Sequence, residues 1–125
     1  MNLVDSSAWL EYFAGGPQAS QFANVIENVE KLIVPTIVLL DVTRRVMQQR
    51  GEDEALQVAA VMHQGQVVDL DSGISLSAAQ LGVAHKLPLA DSIIYATAEQ
   101  FDAIVWTMDA DFQGLIGVKY VAKRK

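Results

Sequence analysis

The sequence contains no cysteine, which excludes a disulfide framework and any metal site built on thiolates. No apolar stretch approaches the ~20 residues that a membrane-spanning helix needs. The apolar run from Met1 to Val4 ends at Asp5 and is too short for a signal peptide. We therefore expect a cytoplasmic protein without a membrane association. The net charge of −6 argues against a broad basic surface for nonspecific binding of nucleic acid, but it does not exclude an enzyme whose acidic residues bind cations.

The composition is that of a folded chain, because 51% of the 125 residues are hydrophobic and only 19% are charged. This length suits a single domain, residues 1–125, around one core. The predicted strands are Asn2–Asp5, Leu32–Val34, Gln66–Leu70, Ala103–Trp106 and Val118–Val121. The predicted helices are Ser6–Ala14, Gln18–Lys31, Pro35–Arg50, Glu52–Gln64, Ser72–His85 and Asp91–Phe101. Their alternation predicts an α/β fold with a central parallel sheet of about four to five strands and helices on both faces.

Four acidic residues lie where predicted strands meet predicted helices. Asp5 ends the first strand, Asp109 follows the fourth, Asp91 opens a helix, and Asp41 lies one to two turns into the helix after the second strand. If the crossover connections are right-handed, all four carboxylates can meet at the carboxyl edge of the sheet, where ligands bind in such folds. Carboxylates are ligands for hard cations, so the pattern indicates a site for Mg²⁺ or Mn²⁺.

Each carboxylate also has a purely structural interpretation. Asp5 and Asp91 can cap the helices that follow them, Asp109 can form a turn, and Asp41 can pair with Arg45 four residues further along its helix. Capping, however, does not require four caps to share one end of a sheet. Two carboxylates about 5 Å apart repel each other by ~3 kcal/mol at an effective dielectric near 20. A cluster of four is therefore costly unless it binds a cation.

The ordered set of segments VDSSAW, VLLDV, ADS and WTMDADF resembles the PIN domain family, and within it the VapC-type toxins of toxin–antitoxin pairs. The resemblance covers nearly the whole chain and implies a three-layer, Rossmann-like fold. It also implies a metal-dependent endoribonuclease that forms a homodimer and is inhibited by a cognate antitoxin. By position it assigns catalysis to Asp5, Asp41, Asp91 and Asp109, and the metal to Asp5, Asp91, Asp109 and Asp111. Ser6 and Thr107 match small hydroxyl residues that support such sites.

One position departs from the family pattern, because Asp41 stands where similar proteins usually carry a glutamate. The side chain is one methylene shorter, so we expect it to reach a metal only through a water molecule. The departure gives some weight to one alternative function, a catalytically decayed module that only binds a protein partner, and the retention of the other three acids argues against it. DNA instead of RNA as the substrate also stays open.

Other enzyme classes fit the sequence poorly. An aspartate-nucleophile phosphatase needs a second acid two residues after the nucleophile, and Ser7 occupies that position. A phospho-receiver needs adjacent acids early in the chain and a lysine near the last strands, where Lys119 is poorly placed. His63 and His85 form no triad with a serine. Hydrolysis by a metal-activated water remains the chemistry that the residues support.

Overall fold

The computed structural model describes residues 1–124. Its strands are β1 (Asn2–Val4), β2 (Leu32–Pro35), β3 (Gln66–Val68), β4 (Ile104–Thr107) and β5 (Val118–Tyr120). Its α-helices are α1 (Ser6–Ala14), α2 (Ser20–Glu27), α3 (Thr36–Arg50), α4 (Glu52–Met62), α5 (Ser72–His85) and α6 (Leu89–Gln100). Short 3₁₀ turns cover Val29–Lys31 and Ala110–Phe112. The alternation confirms the predicted α/β fold.

The five strands form one parallel sheet in the order β3-β2-β1-β4-β5. The chain moves outward from β1 through β2 to β3, and then crosses to the other side of β1 to add β4 and β5. The strand order therefore reverses between β1 and β4, whose paired residues include Val4 and Trp106. Such a reversal opens a crevice beyond the carboxyl ends of the two strands. The residues that follow β1 and β4 line this crevice.

The core lies on both faces of the sheet, because the central strands are apolar along their length. Leu3, Val4, Val34 and Val105 have no exposed surface, as expected for strands that helices cover on both sides. Trp9 of α1 is equally buried and belongs to the same cluster of packed residues. Burial of each large aliphatic side chain contributes about 1.5–3 kcal/mol. This packing provides a rigid base for the crevice.

Three predicted boundaries were wrong in ways that concern the crevice. The predicted helix Gln18–Lys31 is shorter, because α2 begins at Ser20 and ends before Asn28, and Gln18 uses its side chain elsewhere. Pro35 ends β2 in an extended conformation and caps α3 instead of lying in its first turn. Helix α6 begins at Leu89, directly after Pro88, so Asp91 is its third residue and not its first.

No helix within residues 1–124 combines the length and the hydropathy that crossing a bilayer requires.

Candidate active site

A cleft of about 790 Å³ opens at the carboxyl ends of β1 and β4. It is lined by all four acids that the sequence assigns to catalysis: Asp5, Asp41, Asp91 and Asp109. Ser6 also lines the cleft, whereas Thr107 lies fully buried behind it. The fold thus brings three elements of distant sequence, the start of α1, helix α3 and the start of α6, to the end of β4.

Asp5 is the most tightly held carboxylate of the cleft and is only 3% exposed. It caps α1 by accepting a hydrogen bond from the backbone N–H of Ala8 at 3.1 Å. Its Oδ1 also accepts from Ser7 Oγ at 2.7 Å, and its Oδ2 accepts from Thr107 Oγ1 at 2.5 Å. Burial raises the pKa of Asp5, the three hydrogen bonds lower it, and nearby Asp109 raises it further. The carboxylate therefore keeps a fixed orientation at the base of the cleft.

Two hydroxyl groups connect the end of β1 with the end of β4. Thr107 Oγ1 donates to Asp5 and accepts from the backbone N–H of Asp109 at 2.8 Å. Ser7 Oγ also donates to Asp5 and accepts from the backbone N–H of Met108 at 2.9 Å. Each hydroxyl thus orients a carboxylate while it holds the loop after β4.

Ser6 was predicted to support the site together with Thr107, and Ser7 was not. In the described structure the side chain of Ser6 lines the cleft without a hydrogen bond to Asp5, and the neighbouring Ser7 makes that bond. Ser7 is the second residue of a helix whose cap is Asp5, so its hydroxyl is close to the capping carboxylate. That helical position is the sequence signal that could have identified it.

Asp91 and Asp109, which line the cleft, form a cluster with the neighbouring exposed Asp111. Asp91, Asp109 and Asp111 each offer an oxygen, and these oxygens all lie within 4.8 Å of one another. Asp109 accepts a hydrogen bond from the backbone N–H of Asp111 at 2.9 Å and so caps the 3₁₀ turn Ala110–Phe112. The structural role that the sequence allowed for Asp109 is therefore real, and it coexists with membership of the cluster.

The electrostatic cost of this cluster falls mainly on Asp91. Its pKa is raised from 3.8 to about 7, first by burial, then by the charge of Asp109 and a hydrogen bond with it, and then by Asp5 and Asp111. No arginine or lysine contacts these three carboxylates through a salt bridge in residues 1–124. Three acids without a partner cation are expensive to hold together, so their environment favours an added cation.

Asp41 lies apart from this cluster. It lines the same cleft, but its Oδ1 pairs with Arg45 Nε at 3.1 Å, and its side chain is 36% exposed. The i,i+4 pair that the sequence offered as an alternative therefore exists, although an exposed pair of this kind contributes little stability. Asp5 is also outside the group of three, because its oxygens face Ser7, Thr107 and the first turn of α1.

The oxygen donors of the cluster fit a hard divalent cation. Mg²⁺ and Mn²⁺ prefer carboxylate oxygens, and the cleft offers no thiolate or imidazole group. Burial and the neighbouring acids together raise the pKa of Asp91, and a bound cation would offset the part of this shift that comes from the acids.

Comparison with known families decides the identity of the fold. The model of the PIN domain family matches residues 3–116, which is most of the chain. The chain belongs to the PIN domain family. The resemblance drawn from the four acidic segments is confirmed at this level. No curated protein gives a significant match to the sequence.

Solved structures share the fold over nearly the whole chain. A toxin–antitoxin complex from Klebsiella pneumoniae has a TM-score of 0.80 at 22% identity, covering 95% of this chain and 96% of that one. VapC20 of Mycobacterium tuberculosis, described as a toxin that cleaves the sarcin–ricin loop, has a TM-score of 0.75 at 17% identity, covering 94% and 98%. DNA-bound VapBC from Salmonella typhimurium has a TM-score of 0.73 at 16% identity, covering 98% of both chains. At these identities the likeness shows a common fold.

Proposed function

We propose that this PIN domain is a metal-dependent endoribonuclease of the VapC toxin type, which hydrolyses phosphodiester bonds of RNA in the cytoplasm. One observation carries the proposal: Asp91, Asp109 and Asp111 have carboxylate oxygens within 4.8 Å of one another, and the pKa of Asp91 is raised to about 7, first by burial and then by Asp109. A binding module without a metal gains nothing from such repulsion. A metal-dependent nuclease needs such a group of carboxylates in order to hold a cation beside a phosphate.

In this proposal Asp91, Asp109 and Asp111 hold Mg²⁺ or Mn²⁺, and Asp5 contributes the fourth carboxylate. When bound, the metal lowers the pKa of a water molecule and offsets the negative charge of the phosphate. The protein's own contribution is orientation. Thr107 and Ser7 fix the carboxylate of Asp5, and the 3₁₀ turn fixes Asp109 relative to Asp111.

Asp41 acts at the edge of the site in this proposal. Its Oδ1 pairs with Arg45 and its side chain is one methylene shorter than that of glutamate, so Asp41 would reach a bound metal only through a water molecule. A reduced affinity for the metal is the expected consequence, and the fold is unaffected.

Exposed apolar side chains and the acidic cleft support two proposed protein partners, a second copy of the chain and an antitoxin. Leu76 and Val83, seven residues apart on α5, are 71% and 83% exposed, and Leu40 and Leu89 beside the cleft are 59% and 83% exposed. Exposed large apolar side chains of this kind favour a protein–protein contact, which we assign to a homodimer. The acidic cleft favours a basic segment of a cognate antitoxin, which would mask the carboxylates and inhibit the enzyme.

The test is cleavage of transfer RNA and of total bacterial RNA by the purified protein, with Mn²⁺ and with EDTA. The proposal predicts cleavage by the wild type in Mn²⁺ alone and none by Asp109→Asn, which controls for a contaminating ribonuclease. Cleavage that survives EDTA or the substitution contradicts it. Binding of Mn²⁺ without any cleavage would favour the decayed binding module, and equal cleavage of a DNA strand of the same sequence would contradict the choice of RNA.

A further inference from the structure

A second, smaller cleft continues the acidic one and carries the opposite charge. It has a volume of about 320 Å³ and shares Ser7, Arg45, Met108 and Lys123 with the first cleft. Arg124 joins Arg45 and Lys123 in its lining, and Glu11 is the acid among its lining residues. A strand that leaves the carboxylate cluster in this direction therefore passes at once from acidic to basic surroundings.

Basic residues are concentrated in this cleft although the protein as a whole is acidic. The chain has a net charge of −6 and nine lysines and arginines, of which Lys125 lies outside the described residues. Three of the remaining eight line the second cleft. We call Arg45, Lys123 and Arg124 the basic strip.

The strip is held in place by one buried polar side chain, Gln18. It is only 4% exposed, and its amide bonds to the backbone of the segment after β5 in both directions. Its Nε2 donates to the carbonyl oxygen of Ala122 at 2.6 Å, and its Oε1 accepts from the backbone N–H of Arg124 at 3.2 Å. Lys123 lies between these two contacts, so the side-chain amide fixes the backbone that presents it to both clefts.

Gln18 is itself positioned by the turn after α1. Its backbone N–H donates to Glu11 Oε2 at 2.9 Å. A Cβ atom at position 16 would lie only 2.2 Å from Glu11 Oε1. Any residue larger than glycine at this position would therefore collide with the carboxylate of Glu11. Gly16 therefore permits the contact, and the segment Glu11–Gln18 forms a built support for the strip.

We propose that the basic strip binds backbone phosphates of the RNA on one side of the scissile bond. The inference rests on the proposed ribonuclease function. The acidic cleft attracts one phosphate through its cation but repels the neighbouring phosphates, which need cations of the protein itself. The guanidinium of Arg45 gives its Nε–H to Asp41 and carries four further N–H donors that can bind a phosphate.

The first test measures the affinity of a fluorescent single-stranded RNA by anisotropy over a range of salt concentrations, with Ca²⁺ in place of Mn²⁺. The double variant Lys123→Gln/Arg124→Gln loses two phosphate contacts. The slope of log affinity against log salt is therefore expected to become shallower by about 1.4. The control Lys31→Gln/Lys119→Gln removes the same charge from exposed positions outside both clefts and should keep the slope of the wild type.

The second test removes the support and keeps both charges. Gln18→Met retains the apolar volume but loses both contacts with the segment after β5, so it should lower the slope although the net charge is unchanged. Its stabilisation by Mn²⁺, measured in thermal melts, should match the wild type, since no carboxylate changes. A slope equal to the wild type's in this variant would overturn the role of Gln18.

The outcomes of these tests distinguish failure of the proposal for the basic strip from failure of the proposed ribonuclease function. If the wild type cleaves RNA but Lys123→Gln/Arg124→Gln keeps the full slope, the strip binds no phosphate and the inference fails while the ribonuclease stands. If the wild type neither cleaves nor binds RNA, the proposed function fails, and the inference with it.

Discussion

Replacing Asp91 with asparagine isolates the charge at the centre of the carboxylate cluster. Asparagine keeps the shape of the side chain and removes its charge. In the metal-free protein above neutral pH, the wild type holds Asp91 ionised although burial and Asp109 both disfavour that state. We expect Asp91→Asn to be more stable than the wild type in EDTA, and to gain little from Mn²⁺.

The magnitude follows from the pKa of Asp91. A shift from 3.8 to about 7 corresponds to at most about 4 kcal/mol between the two protonation states. The side chain borders an open cleft where water screens the repulsion, so we expect about 1–2 kcal/mol. For a chain of this length, 1 kcal/mol shifts the melting temperature by about 4 °C, and the variant should melt about 4–8 °C higher.

The dependence on pH has a definite sign. Between the unfolded pKa of 3.8 and the folded pKa of about 7, the folded state binds more protons than the unfolded state. The metal-free wild type therefore loses stability as the pH rises through this window, and Asp91→Asn lacks the contribution of Asp91 to this loss. The advantage of the variant should be fully present at about pH 8, should fall to less than half of that at about pH 5, and should vanish only below the unfolded pKa of 3.8.

The assay is thermal unfolding of both proteins in EDTA at these two pH values, followed by circular dichroism. Asp69→Asn, which removes an exposed carboxylate outside the cleft, is the matched control and should follow the wild type at both. If Asp91→Asn melts below the wild type at the higher pH, the carboxylate stabilises the fold, and the reasoning about repulsion is refuted.

Three further predictions concern the same cleft. Saturating Mn²⁺ should raise the melting temperature of the wild type by mass action, with about 2.7 kcal/mol expected at a hundred times Kd, and should leave Asp109→Asn unchanged. Thr107→Val should cost about 1–3 kcal/mol in urea unfolding and weaken Mn²⁺ binding, because Asp5 and the N–H of Asp109 lose a partner. The control Thr97→Val, whose hydroxyl bonds only to a carbonyl of its own helix, should leave Mn²⁺ binding intact. Asp41→Glu should preserve or raise Mn²⁺ affinity in titration calorimetry, and a clear loss would show that the position is tuned for aspartate.

Local signals were sufficient for much of the fold. Helices α1 and α5 have their predicted bounds, because Asp5 and Asp71 directly before them accept hydrogen bonds from their first turns. The parallel sheet followed from apolar strands that alternate with helices. The predicted start of α6, Asp91, was two residues late, because the helix begins at Leu89 with Pro88 as its N-cap residue.

The site could be predicted only in part, because the spacing of the acids along the sequence indicates which of them approach the carboxyl edge of the sheet but not which groups hold each carboxylate. Thr107 was selected from the sequence and does orient Asp5, but its second partner, Ser7, depends on the direction of one side chain in the first turn of a helix. The contact of Gln18 with Ala122 joins residues more than a hundred positions apart and has no local signature. The raised pKa of Asp91 likewise has no local signature in the sequence, because it arises from burial and from three acids in other segments.

The most direct test of the metal site is the anomalous difference density of a crystal of the wild type soaked in Mn²⁺. The account predicts a peak within coordination distance of Asp91, Asp109 and Asp111, and none at that place in a crystal of Asp109→Asn. A crystal that diffracts well and shows no manganese among these carboxylates, or shows it only elsewhere on the surface, would contradict the central claim.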